Sequence, residues 1–346
     1  MKKLSKLAAL LLSAAMVLAL AACSGGDANA TPTPAADATP TPAAEGDPTE
    51  APSTGESYTV GIIQQMQHVA LDSATEGFRD ALTDLLGDQV EFQYQNASGD
   101  TANCSTIAGS FVASSVDLIM ANGTTALQAA VAATGDIPIL GTSITEYGVA
   151  LGIDGFSGTT GINVSGTSDL APLDQQAAMI QELFPDAETV GLLYCSAEPN
   201  SIFQVDTIQG YLEEMGYTCE QYAFTDVNDL ASVTQTACDN SDVIYIPTDN
   251  TAANNTETIA NVVVPAGVPV VAGESGICSG CDVATLSIDY YELGEITGQM
   301  AARILRGEES VSEMAIEYDT TLTKLYNAAN CEALGITIPE DYEPIA

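Results

Sequence analysis

Beyond residue 57 the chain alternates short apolar runs with longer stretches in which apolar positions recur every three or four residues. The runs predict strands at 58–63, 90–95, 117–121 and 137–141, and the longer stretches predict helices at 72–86, 102–114 and 124–134. A second series follows, with strands at 189–194, 218–224, 242–246 and 268–272 and helices at 171–184, 201–215, 229–239 and 253–264. Runs such as Val190-Gly-Leu-Leu-Tyr194 are apolar on both faces, as strands inside a parallel sheet must be. Regular strand–helix alternation predicts an α/β fold with doubly wound parallel sheets and right-handed crossovers.

The two series match in detail. Asp117-Leu-Ile-Met-Ala-Asn-Gly-Thr-Thr125 parallels Asp242-Val-Ile-Tyr-Ile-Pro-Thr-Asp-Asn250, and Asp136-Ile-Pro-Ile-Leu-Gly-Thr-Ser143 parallels Gly267-Val-Pro-Val-Val-Ala-Gly-Glu274. Two matching α/β lobes predict a hinged clamshell, with lobe 1 at 57–165 plus 289–317 and lobe 2 at 166–288 plus 318–346. The three-segment hinge is expected near 163–166, 285–289 and 316–320. The stretch 284–294 reads as a return crossing, 296–305 as an amphipathic helix stopped by Gly307, 315–318 as a third crossing and 326–334 as a last helix.

The start of the chain is of another kind. Lys2, Lys3 and Lys6 precede an apolar run from Leu7 to Leu20, which is short for a membrane span. Leu20-Ala-Ala-Cys23 follows, matching a bacterial lipobox, so residues 1–22 read as a lipoprotein signal peptide and Cys23 as a lipidated residue. Two acyl chains such as palmitate on one Cys hold a protein stably at a membrane. Residues 24–56 contain Ala-Thr-Pro-Thr-Pro-Ala-Ala twice, at 30–36 and 38–44, and no large apolar side chain, which reads as a disordered tether. The expected location is the outer face of the cell membrane.

Charge narrows the function. The net charge is −40, and only Arg79, Arg303, Arg306 and Lys324 are basic beyond the signal segment. Nucleic-acid binding is excluded, because neutralising phosphates takes Lys and Arg. Polyanionic ligands are disfavoured, while zwitterions and cations remain open. Seven cysteines follow Cys23: Cys104, Cys195, Cys219, Cys238, Cys278, Cys281 and Cys331. Gly276 and Gly280 suggest a turn at Cys278-Ser-Gly-Cys281, which reads as a local disulfide or a pair of free thiols. A structural zinc site wants four ligands and the chain has one His, so neither metal nor cofactor is expected. Among catalytic motifs, GxSxG, the Walker A lysine loop and HExxH are all absent from the sequence, and no enzyme is expected.

The order and spacing of several segments resemble the ABC transporter substrate-binding family with the type I periplasmic-binding-protein fold, a family that includes lipoproteins for tryptophan and related aromatic amino acids. The carrying segments are Gly61-Ile-Ile-Gln-Gln-Met-Gln-His-Val-Ala-Leu-Asp72, Asn122-Gly-Thr-Thr-Ala126, Gly141-Thr-Ser143, Gly166-Thr-Ser-Asp169, Tyr194-Cys-Ser-Ala-Glu-Pro-Asn-Ser201, Pro247-Thr-Asp-Asn250 and Ile288-Asp-Tyr-Tyr-Glu-Leu-Gly294. Val69 departs from the family's pattern, which has Pro after the His. The resemblance implies a monomeric receptor that captures a small solute between its lobes and hands it to an ABC permease. An amino acid is the favoured solute, an aromatic one above others. A nucleoside or other organic solute, and a sensory or adhesive role, stay open as alternatives.

In open α/β sheets, ligands bind beyond the carboxyl ends of the strands. The candidate ligand-binding residues are therefore Gln65, His68, Asn122, Thr124, Thr142 and Ser143 from lobe 1. Lobe 2 contributes Ser196, Glu198, Asn200, Ser201, Thr248, Asp249, Asn250 and Glu274, and Asp289 and Tyr290 lie at the second crossing. Hydroxyls and N–H groups near Thr124, Ser143 and Ser201 are expected to hold a carboxylate and Asp249 an ammonium, with Tyr147, Tyr194 and Tyr290 as aromatic surfaces. The same residue types are also ordinary helix N-caps.

Overall fold

A computed structural model of the chain describes residues 57–345. The lipobox Cys23, the signal segment and the tether lie outside the described residues.

Lobe 1 opens with β1 (Tyr58–Gln64), α1 (Val69–Leu86), β2 (Val90–Asn96), α2 (Thr101–Ser114), β3 (Leu118–Asn122), α3 (Thr124–Ala133), β4 (Ile139–Ile144), α4 (Tyr147–Leu151) and β5 (Val164–Ser168). Lobe 2 follows with α5 (Leu173–Leu183), β6 (Thr189–Cys195), α6 (Pro199–Glu214), β7 (Thr218–Phe224), α7 (Val227–Asn240), β8 (Val243–Ile246), α8 (Asn250–Ala253), α9 (Thr256–Ala266), β9 (Val270–Ala272), α10 (Ser275–Gly280) and β10 (Ala284–Ser287). The chain then returns through α11 (Tyr290–Leu305) and β11 (Glu317–Tyr318), and crosses again into β12 (Thr323–Tyr326), α12 (Ala328–Leu334) and β13 (Glu343–Pro344).

The first sheet has the order β11-β5-β4-β3-β1-β2, with every pair parallel. The second has the order β13-β12-β10-β9-β8-β6-β7, antiparallel only where β12 meets β10. Apolar cores cover both faces of each sheet, around Phe111 and Phe78 in lobe 1 and around Tyr245 and Phe224 in lobe 2. This burial explains the largely apolar sequences of β1, β3, β6 and β8. Strand order reverses between β1 and β3 in one sheet and between β6 and β8 in the other. Loops leaving such a switch point splay apart and open a crevice.

The crossings are displaced from their expected places. β5 pairs with β4 as far as Ser168, so the chain leaves the first sheet after that residue and not at 165. Val164-Ser-Gly-Thr-Ser168 is buried, yet it has one large apolar side chain, and this hid the strand. Ala284–Ser287 is a buried strand of the second sheet and not itself a return crossing. β11 ends at Tyr318, which places the third crossing at 319–322. α11 starts six residues before the expected 296, capped by Asp289 on the amides of Tyr291 and Glu292. The expected helix 253–264 is two helices, broken at Asn254 and Asn255.

Cys278 lies inside α10 and Cys281 caps its end, where a turn was expected. All seven described cysteines are free thiols. Burial pushes Cys278 and Cys281 well above the usual thiol range, which keeps them protonated and inert. Among the described residues no three His, Cys, Asp or Glu side chains are placed to hold a metal.

Candidate functional site

The two switch points supply most of the site. Gln65 and His68 follow β1 and Asn122 ends β3; Glu198, Asn200 and Ser201 follow β6, and Thr248, Asp249 and Asn250 follow β8. One hydrogen bond joins the lobes here: His68 Nε2 lies 3.1 Å from Asn250 Oδ1. Asn250 Nδ2 donates to Glu198 Oε2 at 2.7 Å, which fixes its amide with the oxygen toward His68. His68 must therefore carry its proton on Nε2, leaving Nδ1 as an acceptor. Burial holds the His68 pKa below its ordinary value, so the ring is neutral at pH 7.

On lobe 1, register pairs Asn122 with Thr142 and Ile144 with Ser168, so the ends of β3, β4 and β5 form one polar rim. Asn122 Nδ2 donates to the Leu71 carbonyl and to Thr75 Oγ, which turns Oδ1 away from them. Thr142 Oγ1 is 3.2 Å from Thr167 Oγ1, and Gln65 Oε1 accepts from the amide of Thr125. Thr124 is buried at the start of α3. Ser143 sits at an irregularity in the β4–β5 pairing with φ 55, a left-handed conformation that serine seldom adopts.

On lobe 2 three acids expected as ligand contacts accept hydrogen bonds from the fold itself. Asp249 accepts from the amides of Ala252 at 2.8 Å and Cys195 at 2.7 Å, so it caps α8 and ties β6 to β8. Glu198 accepts from the amides of Asn250 and Thr251 and from the Thr251 hydroxyl. Glu274 accepts from the amides of Gly276 and Ile277 at 2.5 and 2.6 Å. Ser196 is exposed, its hydroxyl on the Phe224 carbonyl, and Asp289 is an exposed cap. Tyr147 is sealed in the lobe 1 core on the carbonyls of Gly141 and Thr167, and Tyr194 donates to Gln221; both are packing residues. Ser201 is buried beside Asn200, whose Nδ2 donates to the Thr248 carbonyl at 3.0 Å.

Asp169, just past β5, joins these candidates. Tyr290 donates to its Oδ2 at 3.1 Å, with the Thr248 hydroxyl beside the phenol. Its other oxygen, Oδ1, is buried without a hydrogen bond, although the Thr145 hydroxyl stands near. Burial pushes Asp169 up to about 6 and Glu274 up to about 7. The signal was present in Gly166-Thr-Ser-Asp169, but an acid after a strand of small residues looks like a cap.

Five of the buried polar atoms without partners belong to this region: His68 Nδ1, Asn122 Oδ1, Ser143 Oγ, Asp169 Oδ1 and Asn200 Oδ1. Buried polar groups are nearly always paired, so this concentration makes the region the candidate site. No basic side chain of the described residues answers the acids. Arg303 pairs with Glu309 and Glu317, Arg306 bonds the Leu85 carbonyl, Lys324 pairs with Glu182 and Asp341, and Arg79 lies over Phe92.

The chain matches the model of a family described as ABC transporter substrate binding protein over residues 59–344. A tyrosine-binding protein of Clostridioides difficile is 34% identical over 260 residues, covering 74% of this chain and 75% of that one. A Streptococcus pneumoniae ABC domain solved in complex with L-Trp superposes with a TM-score of 0.80 at 30% identity, covering 84% of this chain and 100% of that one. The ligand-free, open structure of a Clostridium difficile substrate-binding protein with adhesive properties reaches only 0.65 at 34% identity, covering 83% of this chain and 99% of that one. The closer superposition is thus with the liganded structure, despite its lower identity. The architecture is the type I periplasmic-binding-protein fold.

Proposed function

The chain belongs to the ABC transporter substrate-binding protein family, and from that premise we propose that it is a lipid-anchored receptor that binds an amino acid between its lobes for an importer. Members of this family bind solutes and are not enzymes. The observation that carries the amino-acid reading is Asp169: a buried carboxylate with one unpartnered oxygen and no cation to balance it. A buried charge is stable only when paired, and an ammonium group pairs it. The ligand's carboxylate has a place at the Ser143 hydroxyl and the start of α3. Tyr290 supplies aromatic surface next to the ammonium. Relatives that bind tyrosine and L-Trp favour an aromatic side chain. A nucleoside lacks the cation that the acids call for.

Calorimetric titration with tyrosine and tryptophan tests this. At least one of them binds, and Asp169→Asn weakens it roughly 100-fold, the scale of losing a charged partner of 2–3 kcal/mol. Unchanged affinity in that variant rejects Asp169 as the ammonium anchor. Cys23 carries the acyl chains and the Thr/Pro repeats hold the lobes off the membrane. Cys23→Ala is expected to move the protein from the membrane fraction into the medium.

A further inference from the structure

We infer that His68 is a proton-sensitive latch between the lobes: the neutral ring holds them together, and the imidazolium lets them part. This rests on the reading above, in which the lobes close over a solute, and adds a control on that closure. His68 stands at the start of α1 in lobe 1 but makes no side-chain cap bond there. Its Nε2 instead reaches across to Asn250 Oδ1, at the start of α8 in lobe 2, at 3.1 Å. Glu198 Oε2 accepts from the Asn250 backbone N–H at 3.1 Å and from its Nδ2 at 2.7 Å, so the Asn250 amide cannot be turned round. Facing only an acceptor, Nε2 must carry the proton of the neutral ring, and Nδ1 is left bare. Part of the ring still meets solvent, but Nδ1 is sealed off without a partner.

A second proton has to go onto Nδ1, where it makes a charged N–H with no acceptor, an arrangement that buried sites tolerate poorly. The acids on the surrounding elements are already engaged. Asp72 on α1 takes the Gln64 amide at 2.6 Å, and Glu198 before α6 holds Asn250 and Thr251. Asp249 caps α8, and Glu274 caps α10, which packs on α1. Burial lowers the proton affinity of the ring more than Asn250, Glu198 and Asp72 raise it. Parting the lobes separates His68 from Asn250 and gives Nδ1 to water, where the ring returns toward its ordinary 6.5. Shutting the lobes therefore disfavours the protonated ring. The shut state has its full advantage above pH 6.5 and loses it as pH falls. Asp169 and Glu274, which burial raises, act with the opposite sign in the empty protein. A change confined to His68 separates the two effects.

His68→Gln makes that change, because Gln keeps a neutral N–H for Asn250 and cannot titrate. Calorimetry with tyrosine and with tryptophan at pH 7.5 and 5.5 compares this variant with the wild type. An imidazole at its ordinary 6.5 goes from about 10% to about 90% protonated over that span, so acidification should cost the wild type up to about 10-fold more affinity than the variant. Equal losses in the two proteins, whatever their absolute affinities, leave His68 a purely structural role and overturn the latch. The chain has one His, so its ring-proton resonance can be followed by NMR without any variant. Its titration midpoint should be lower in the solute-saturated protein than in the empty one; the same midpoint in both overturns the latch. If neither amino acid binds, the amino-acid reading fails by itself, and the empty protein decides the latch by small-angle scattering. Acidification to pH 5.5 should then expand the wild type relative to His68→Gln, and matching changes overturn the proposal.

Discussion

Two acids a few residues past a strand illustrate how local chemistry divides this site. Asp249 has both oxygens on backbone amides, so Asp249→Ala should act on folding, lowering stability by about 1–2 kcal/mol as a lost cap does, measured by denaturant unfolding. Asp169 keeps one oxygen unused, and its loss should act on affinity. Both follow small or apolar residues, and spacing alone does not separate a cap from a contact. That is why the polar residues at the switch points were legible while the hydrogen bonds made by Asp249 and Asp169 were not. Ser143 holds a left-handed backbone inside a strand with its hydroxyl unpartnered. Such strain costs on the order of 1 kcal/mol, so Ser143→Gly should raise the unfolding midpoint slightly while weakening ligand binding. Titration gives a further check. Asp169 and Glu274 are raised from 3.8 and 4.5 to about 6 and about 7 by burial. Their stabilising contribution is therefore full below about pH 4 and is lost as pH rises through 6 and 7. His68, held below 6.5, opposes this as pH falls. Two carboxyls outweigh one imidazole, so the unliganded midpoint should be higher near pH 5 than near pH 8. Affinity for an amino acid runs the opposite way and falls as pH drops through about 6, because the carboxylate must be ionised to hold an ammonium. Thermal melts and titrations across that range check both signs.

Among the secondary elements, the parallel strands with apolar runs could be read from the chain because burial on both faces leaves no polar period to confuse. β5 and β10 could not, since small and polar residues fill them where they run beside the hinge. Helix α11 shows what governs the return into lobe 1. It packs against α1 so closely that a Cβ on Gly294 would collide with the Ala74 carbonyl, and one on Gly77 with the Tyr291 carbonyl. Backbone on both sides leaves nothing soft to move. Gly294→Ala should cost about 1–3 kcal/mol through overpacking, seen as a lower denaturation midpoint. Because α11 starts at Tyr290, the same contact sets the position of the phenol on Asp169.

At the scale of the whole molecule, the bond from His68 to Asn250 and the sealed polar rim describe lobes drawn together, in keeping with the better match to a liganded relative than to an open one. Small-angle scattering should report a larger radius of gyration for the unliganded protein than for the protein saturated with its solute; identical curves would count against lobe movement. The two-lobed plan was visible in the repeated series, whereas the exact crossing points depend on pairing that no local pattern encodes. The acids at the centre of that plan have one more effect. On the proposed reading, shutting the lobes over solvent alone would strand negative charge in a dry place, and the resulting repulsion would push them apart again. A cationic guest would remove that repulsion. Loading would thereby change the outline of the molecule, a change that a downstream acceptor could feel without touching the guest.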